Sequence, residues 1–217
     1  SLNRGAEFAL AMTLPAAVAL VVIAGPLCSV LYQRGAFTAE DSAATAVALA
    51  IYGVGLPAFV LHKVLQPLYY AREDSRSPFV FAVVSMITNA VIAIGLMPLL
   101  GFAAAAWATT LSGWMMVAQL WIGSRKMGPE AALDDRFRQR FPRIVAASAL
   151  MGLVLYLGAW GLQPLLEAHL WRFAALALLI GLGIVTYFGS GIAMGAFGLS
   201  DFARLRRGKG GGPPPQS

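Results

Sequence analysis

Charge is what this sequence has least of. Asp, Glu, Lys and Arg make up 12% of its 217 residues, where a soluble domain carries about a quarter. It has two histidines, His62 and His169, and one cysteine, Cys28. A lone cysteine excludes an intramolecular disulfide, and Cys28 reads as a small apolar core residue. So few histidines and thiols leave no cluster at metal-ligand spacing. No nucleophile–base constellation appears, and no glycine-rich loop follows a strand. The chain is therefore not expected to be an enzyme or an ATPase, and no cofactor or metal is expected. Any energy input would come from an ion gradient or the membrane potential. Period-two alternation is also missing, which argues against a β-barrel. There is no initiator Met and no signal peptide, so Ser1-Leu2-Asn3-Arg4-Gly5 reads as the interior of a longer chain.

What is abundant is apolar. Hydrophobic residues make up 59% of the chain, and its mean hydropathy is +0.71. They fall in runs of about 20 residues between short polar turns, the pattern of an all-α polytopic membrane protein. Six spans are expected, over residues 8–32, 42–71, 78–97, 102–123, 144–162 and 171–197. The second is the longest, flanked by the polar turns 33–42 and 72–78. Thr38 is its expected N-cap, with Glu40 and Asp41 favouring the positive end of the helix dipole. Pro15 predicts a kink in the first span, and Gly25-Pro26 a second irregularity. Tyr69-Tyr70 is placed at the membrane interface, and Pro98-Leu99-Leu100-Gly101 is read as a tight turn. Leu133, Phe137 and Phe141, four residues apart, predict an amphipathic surface helix within 124–143, with Asp134 pairing Arg138.

This divides the chain into a four-span unit at 1–124, an amphipathic linker at 125–143, a terminal pair of spans at 144–197, and a basic, Gly/Pro-rich tail at 198–217. With six spans, Arg4, Arg72, Arg76, the cluster from Arg125 to Arg143, and Arg204 to Lys209 fall on one side. Only Arg34 and Arg172 fall on the other. The positive-inside rule makes the first side cytoplasmic and puts both ends of the chain there. The net charge of +6 is thus a topology signal rather than a nucleic-acid footprint, and no nucleic-acid partner is expected.

Several motifs resemble a known family. They are Leu14-Pro15-Ala16-Ala17, the turn Leu31-Tyr32-Gln33-Arg34-Gly35-Ala36-Phe37-Thr38 with Asp41, Gly55-Leu56-Pro57-Ala58-Phe59, Lys63-Val64-Leu65, and Tyr69-Tyr70-Ala71-Arg72 with Asp74-Ser75-Arg76-Ser77-Pro78. Together they resemble the C-terminal half of the MurJ (MviN) family of bacterial lipid II flippases. The motif match runs from residue 7 to 125, and beyond that it rests on hydropathy and span order. The resemblance implies a two-lobe, fourteen-span exporter-like fold in the bacterial cytoplasmic membrane, with these spans as the ninth to fourteenth. It implies a lipid-linked peptidoglycan precursor and membrane lipids as partners, together with a coupling ion. It also implies that the last two spans line a groove for the polyprenyl tail. The family's headgroup-binding arginines belong to the first eight spans, and no position here matches them.

Lys63 is the residue singled out. It lies nine residues before Arg72, roughly 13 Å along a helix, where a charge must snorkel, pair or face water. It is read as a cationic group on a cavity wall, against the alternative of a lysine snorkelling to the interface. Gln66 and His62 would share a polar stripe with it, and Asn89 is a further cavity candidate, although an interhelical hydrogen bond is its simpler explanation. Arg34 is the candidate on the outer turn. Pro15, Gly55 and Pro57 are candidate hinges or plain packing kinks. Three readings remain: a flippase for a lipid-linked wall precursor, a related exporter of drugs or polysaccharide precursors, and a membrane scaffold that transports nothing.

Overall fold

The computed structural model describes residues 2–33, 37–125, 135–168 and 171–195. Its elements are α1 (Leu2–Val22), α2 (Ala24–Tyr32), α3 (Ala39–Tyr70), α4 (Arg76–Leu100), α5 (Ala103–Ser124), α6 (Asp135–Gly161), the short α7 (Gln163–Glu167) and α8 (Arg172–Ala193). The fold is all-α. In hydrocarbon every backbone polar group must find a partner within the protein, and a helix does this within one segment. Five helices are long and apolar enough to cross a membrane: α1 from Arg4, α3, α4, α6 from Phe137, and α8. They make this a multi-pass membrane protein.

The fourth expected span, α5, is not among those five. Thr109, Thr110, Ser112 and Gln119 lower its hydropathy. They are tolerated because α5 is an inner helix, with Ala104, Ala108, Thr110 and Leu120 among its buried residues. In α4 the balance is reversed, since only 6% of its most apolar window is buried, and Phe79, Ile94 and Leu99 are exposed. A helix with so little protein around it keeps that apolar surface only in contact with lipid or further helices.

Local chemistry sets the breaks. The first span is interrupted at Ile23, whose backbone (φ −109°, ψ 16°) leaves the helix. The new helix carries Pro26 in its first turn, where a missing N–H costs nothing. Pro15, by contrast, stays inside a continuous α1. At the start of α3 the Thr38 hydroxyl accepts from the Asp41 N–H at 3.2 Å, while the Asp41 carboxylate accepts from the Thr38 N–H at 2.9 Å. That is a reciprocal capping box. From it α3 runs for 32 residues, about 48 Å, past both faces of a roughly 30 Å hydrocarbon core.

Two expectations are corrected. Pro98 does not form a turn. Helix α4 continues through it to Leu100 and ends at Gly101, whose φ of +54° suits glycine. Phe137 and Phe141 stack on each other at 5.8 Å on the first turns of α6, which runs without a break into the fifth span rather than forming a separate element. Leu133 and Asp134 lie outside the described residues. Tyr69 is buried within the protein while Tyr70 is exposed, because successive helical residues point about 100° apart.

Packing runs in the spatial order α4–α5–α3–α1–α6–α8. Ala58, Leu65 and Tyr69 of α3 meet Met116, Val117 and Leu120 of α5. On the other side of α1, Ile23 packs with Ala147, Met151 and Leu155 of α6 and with Leu179 and Tyr187 of α8. Gly53 permits the α1–α3 approach, since a Cβ there would lie 2.9 Å from Leu20 Cβ. Pro57 disturbs the turn before it. In that turn the Ile51 carbonyl accepts from the Thr110 hydroxyl at 3.0 Å, and the Val54 carbonyl from the Trp114 indole at 3.1 Å. The proline-containing segment of α3 is therefore tied to α5.

Candidate functional site

A cavity of about 440 Å³ opens between α3, α4 and α5. Phe59, His62 and Gln66 contribute from α3, Ala82, Ser85, Met86 and Asn89 from α4, and Thr109, Ser112, Gly113 and Met116 from α5. Spacings of three and four residues place each set on one face of its helix. Three of the four cavity candidates, His62, Gln66 and Asn89, thus come together. Lys63 does not line the cavity. It is exposed, three residues before Gln66, which puts their Cβ atoms about 5–6 Å apart.

The polar atoms are unevenly satisfied. The Asn89 amide donates to the hydroxyls of Thr109 (3.3 Å) and Ser112 (3.2 Å). Those hydroxyls donate in turn to the carbonyls of Ala105 and Thr109. Ser85 is different. Its Oγ is buried and has no hydrogen-bond partner, a costly state away from water. Ser85 went unremarked as a site residue in the sequence, where one serine in an apolar run carries no signal.

Other candidates sit elsewhere. Arg34 lies outside the described residues, as does His169. Gly55 and Pro57 are buried in α3. A Cβ on Gly55 would lie 2.9 Å from Thr110 Oγ1, so close packing accounts for this glycine. Pro15 lines a second cavity of about 250 Å³ between α1, α6 and α8, with Met12, Ile23, Leu155, Ile184 and Phe188 among its almost wholly apolar walls. Glu7 and Arg140 join α1 to α6 by an ion pair at 2.6 Å, and Arg143 donates to the Gly195 carbonyl after α8 at 3.3 Å. No group of three or more His, Cys, Asp or Glu suited to a metal occurs among the described residues.

Outside the spans, Asp74 caps the entry to α4. The Ser77 hydroxyl and N–H both hydrogen-bond its carboxylate, the N–H at 3.0 Å, and hold it below the usual carboxylate range.

Comparison with known proteins gives a consistent result. The family model described as "Lipid II flippase MurJ" matches residues 1–199. A probable lipid II flippase MurJ of Rhizobium meliloti is 38% identical over 210 residues, covering 95% of this chain and 39% of that protein. A probable lipid II flippase MurJ of Rhizobium tropici is 38% identical over 189 residues, covering 86% of this chain and 35% of that protein. A solved structure described as lipid II flippase MurJ in an inward closed conformation superimposes with a TM-score of 0.72 at 25% identity, covering 88% of this chain and 37% of that one. This chain therefore spans under two fifths of the length of these relatives. From its motifs, its helix order and these matches, the chain belongs to the lipid II flippase MurJ family.

Proposed function

We propose that this chain forms part of a flippase that moves a lipid-linked peptidoglycan precursor, lipid II, from the inner to the outer leaflet of the bacterial cytoplasmic membrane by alternating access. The observation that carries this reading is Lys63, a cation exposed on a helix long and apolar enough to span a membrane, one turn from Gln66 of the cavity between α3, α4 and α5. A charge on a membrane-spanning helix must snorkel, pair or face water, and in this reading Lys63 meets water or an anion. A passing phosphate or carboxylate supplies the anion, while the apolar remainder of the substrate stays in lipid. Such a route removes the cost of dragging a charged headgroup through hydrocarbon. The apolar cavity between α1, α6 and α8 suits a polyprenyl tail, and the terminal pair would form its groove. The basic side, with both chain ends, is cytoplasmic. Residues 1–124 act as a four-span unit, 125–143 as a linker whose second half is the start of α6, 144–197 as the terminal pair and 198–217 as a basic tail. Pro15 and Pro57 serve as hinges, Arg34 meets the headgroup on the outer side, and an ion gradient or the membrane potential supplies the energy.

The test is complementation. The full-length protein carrying this chain is expected to restore lipid II translocation to cells depleted of their own flippase, and the Lys63→Ala variant to lose that ability while still reaching the membrane. Restoration by Lys63→Ala at the wild-type level would remove Lys63 from the transport route, and failure of the wild-type protein to restore translocation would favour a scaffold. Drug efflux with normal wall synthesis would favour an exporter.

A further inference from the structure

Pro15 leaves one carbonyl of α1 without a helical partner. A proline has no N–H, so the i→i−4 bond that would end on the Ala11 carbonyl cannot form. Such an acceptor is costly to leave unpaired in hydrocarbon. Helix α8 supplies the donor. The Tyr187 hydroxyl donates to the Ala11 carbonyl at 2.5 Å, and both residues are buried. One turn earlier on α1, Glu7 pairs with Arg140 of α6. These two polar ties bind the N-terminal half of α1 to the terminal pair. Beyond Pro15 the same helix is fitted to α3, where Gly53 lies against Ala17, Leu20 and Val21. A change of bend at Pro15 would therefore reposition the α6–α8 pair against α3. Tyr187 and Pro15 also line the apolar cavity between α1, α6 and α8. Met12 and Ile184, two further wall residues, are exposed, as an opening on the lipid side requires.

We propose that the Tyr187–Ala11 bond is a latch on the Pro15 hinge, released when the branched alkyl chain of a polyprenyl lipid enters this cavity. The proposal rests on the reading above that the cavity takes the substrate's tail. A ligand shifts an equilibrium only by binding one state better than the other. The cavity holds about 250 Å³, below the range of drug-sized sites, so a chain is better accommodated where α1 and α8 stand further apart. Widening that gap by about 1 Å carries the hydroxyl and the carbonyl out of hydrogen-bond range. The Ala11 carbonyl then loses the Tyr187 donor while Pro15 still offers none, and α1 is released to change its bend. A purely structural tie would act in the opposite sense, helping the tail to bind by holding the cavity walls in place.

The test uses the purified full-length protein in lipid nanodiscs, with a polyprenyl monophosphate as probe. Tyr187→Phe removes only the hydroxyl. With no latch to break, it should bind the probe about three-fold more tightly, the worth of one average hydrogen bond between membrane helices. Spin labels on Phe8→Cys of α1 and Ala193→Cys of α8, both exposed positions, report the hinge once Cys28 is replaced by Ala. The probe should shift the distance between the labels in the otherwise wild-type protein. Tyr187→Phe should show part of that shift without the probe. Pro15→Ala restores the N–H that the Ala11 carbonyl lacks, so the probe should no longer move α1 in that variant. Unchanged or weaker binding by Tyr187→Phe would overturn the latch and leave the flippase reading standing. So would a distance that the probe leaves unchanged, or an undiminished shift in Pro15→Ala. An equal shift caused by phosphatidic acid would overturn the polyprenyl chain as the releasing ligand. If the wild-type protein binds no polyprenyl monophosphate, the reading of the cavity as a tail groove falls, and the latch with it.

Discussion

Tyr69 and Gly123 form a joint between α3 and α5 whose energetics can be dissected. The Tyr69 hydroxyl donates to the Leu120 carbonyl at 2.6 Å, and its ring meets Phe81 edge-on at 6.1 Å. Tyr69→Phe removes only the hydrogen bond, worth about 0.6 kcal/mol on average between membrane helices. Gly123→Ala acts on the same atom, because an added Cβ would collide with the Tyr69 hydroxyl. Overpacking of this kind costs about 1–3 kcal/mol, offset by up to about 1 kcal/mol of helix propensity. With the hydroxyl gone the collision goes too, while the propensity gain remains. The two substitutions should therefore couple, the double variant being more stable than the sum of the singles by about 1–2 kcal/mol. Reversible unfolding of all four proteins in mixed micelles, titrated with a denaturing detergent, measures the cycle. Additivity to within about 0.5 kcal/mol would refute this account of how α3 meets α5.

Two further outcomes are expected. Arg140→Gln or Glu7→Gln should each destabilise the α1–α6 contact by about 1–2 kcal/mol, between the values for exposed and buried pairs. The charge-reversed double variant, Glu7→Arg with Arg140→Glu, should recover part of that loss, as read in the same unfolding assay. At the α3–α4 turn, the depressed Asp74 carboxyl contributes fully above its unfolded pKa of about 3.9, and the contribution disappears as pH falls through the lower folded value. Hydrogen exchange at the Ser77 amide should accordingly lose protection below about pH 4, and Asp74→Asn should abolish that pH dependence.

Local signals carried much of this architecture. Thr38 and Asp41 sit next to each other in three dimensions because they are three apart in sequence, so the α3 cap could be read directly. The apolar runs likewise exposed the membrane pattern. Pro98 misled because its usual meaning comes from soluble chains. In a membrane helix the carbonyls freed by proline have no water to turn to, so continuing the helix to Leu100 is the better solution. The inner position of α5 was hidden because hydropathy averages over a helix and does not say what covers it. The partnership of Thr110 with Ile51, and of Trp114 with Val54, spans about sixty residues of sequence and leaves no periodic trace. For the site, His62 and Gln66 were legible as an i, i+4 pair, and their convergence with Asn89 depended on how α4 docks. Ser85 was visible only through the missing partner of its hydroxyl.

Central to the account is that Lys63 faces a water-filled, substrate-bearing space rather than acyl chains. The most direct measurement is thiol accessibility in the full-length protein in native membranes, using the Lys63→Cys variant. Cys28 is fully buried and is replaced by Ala to silence it. A membrane-impermeant thiol reagent should label position 63, and a prenyl pyrophosphate bearing its sugar should protect it. Failure to label an otherwise folded and inserted protein would mean that this face of α3 lies against lipid, contradicting the account.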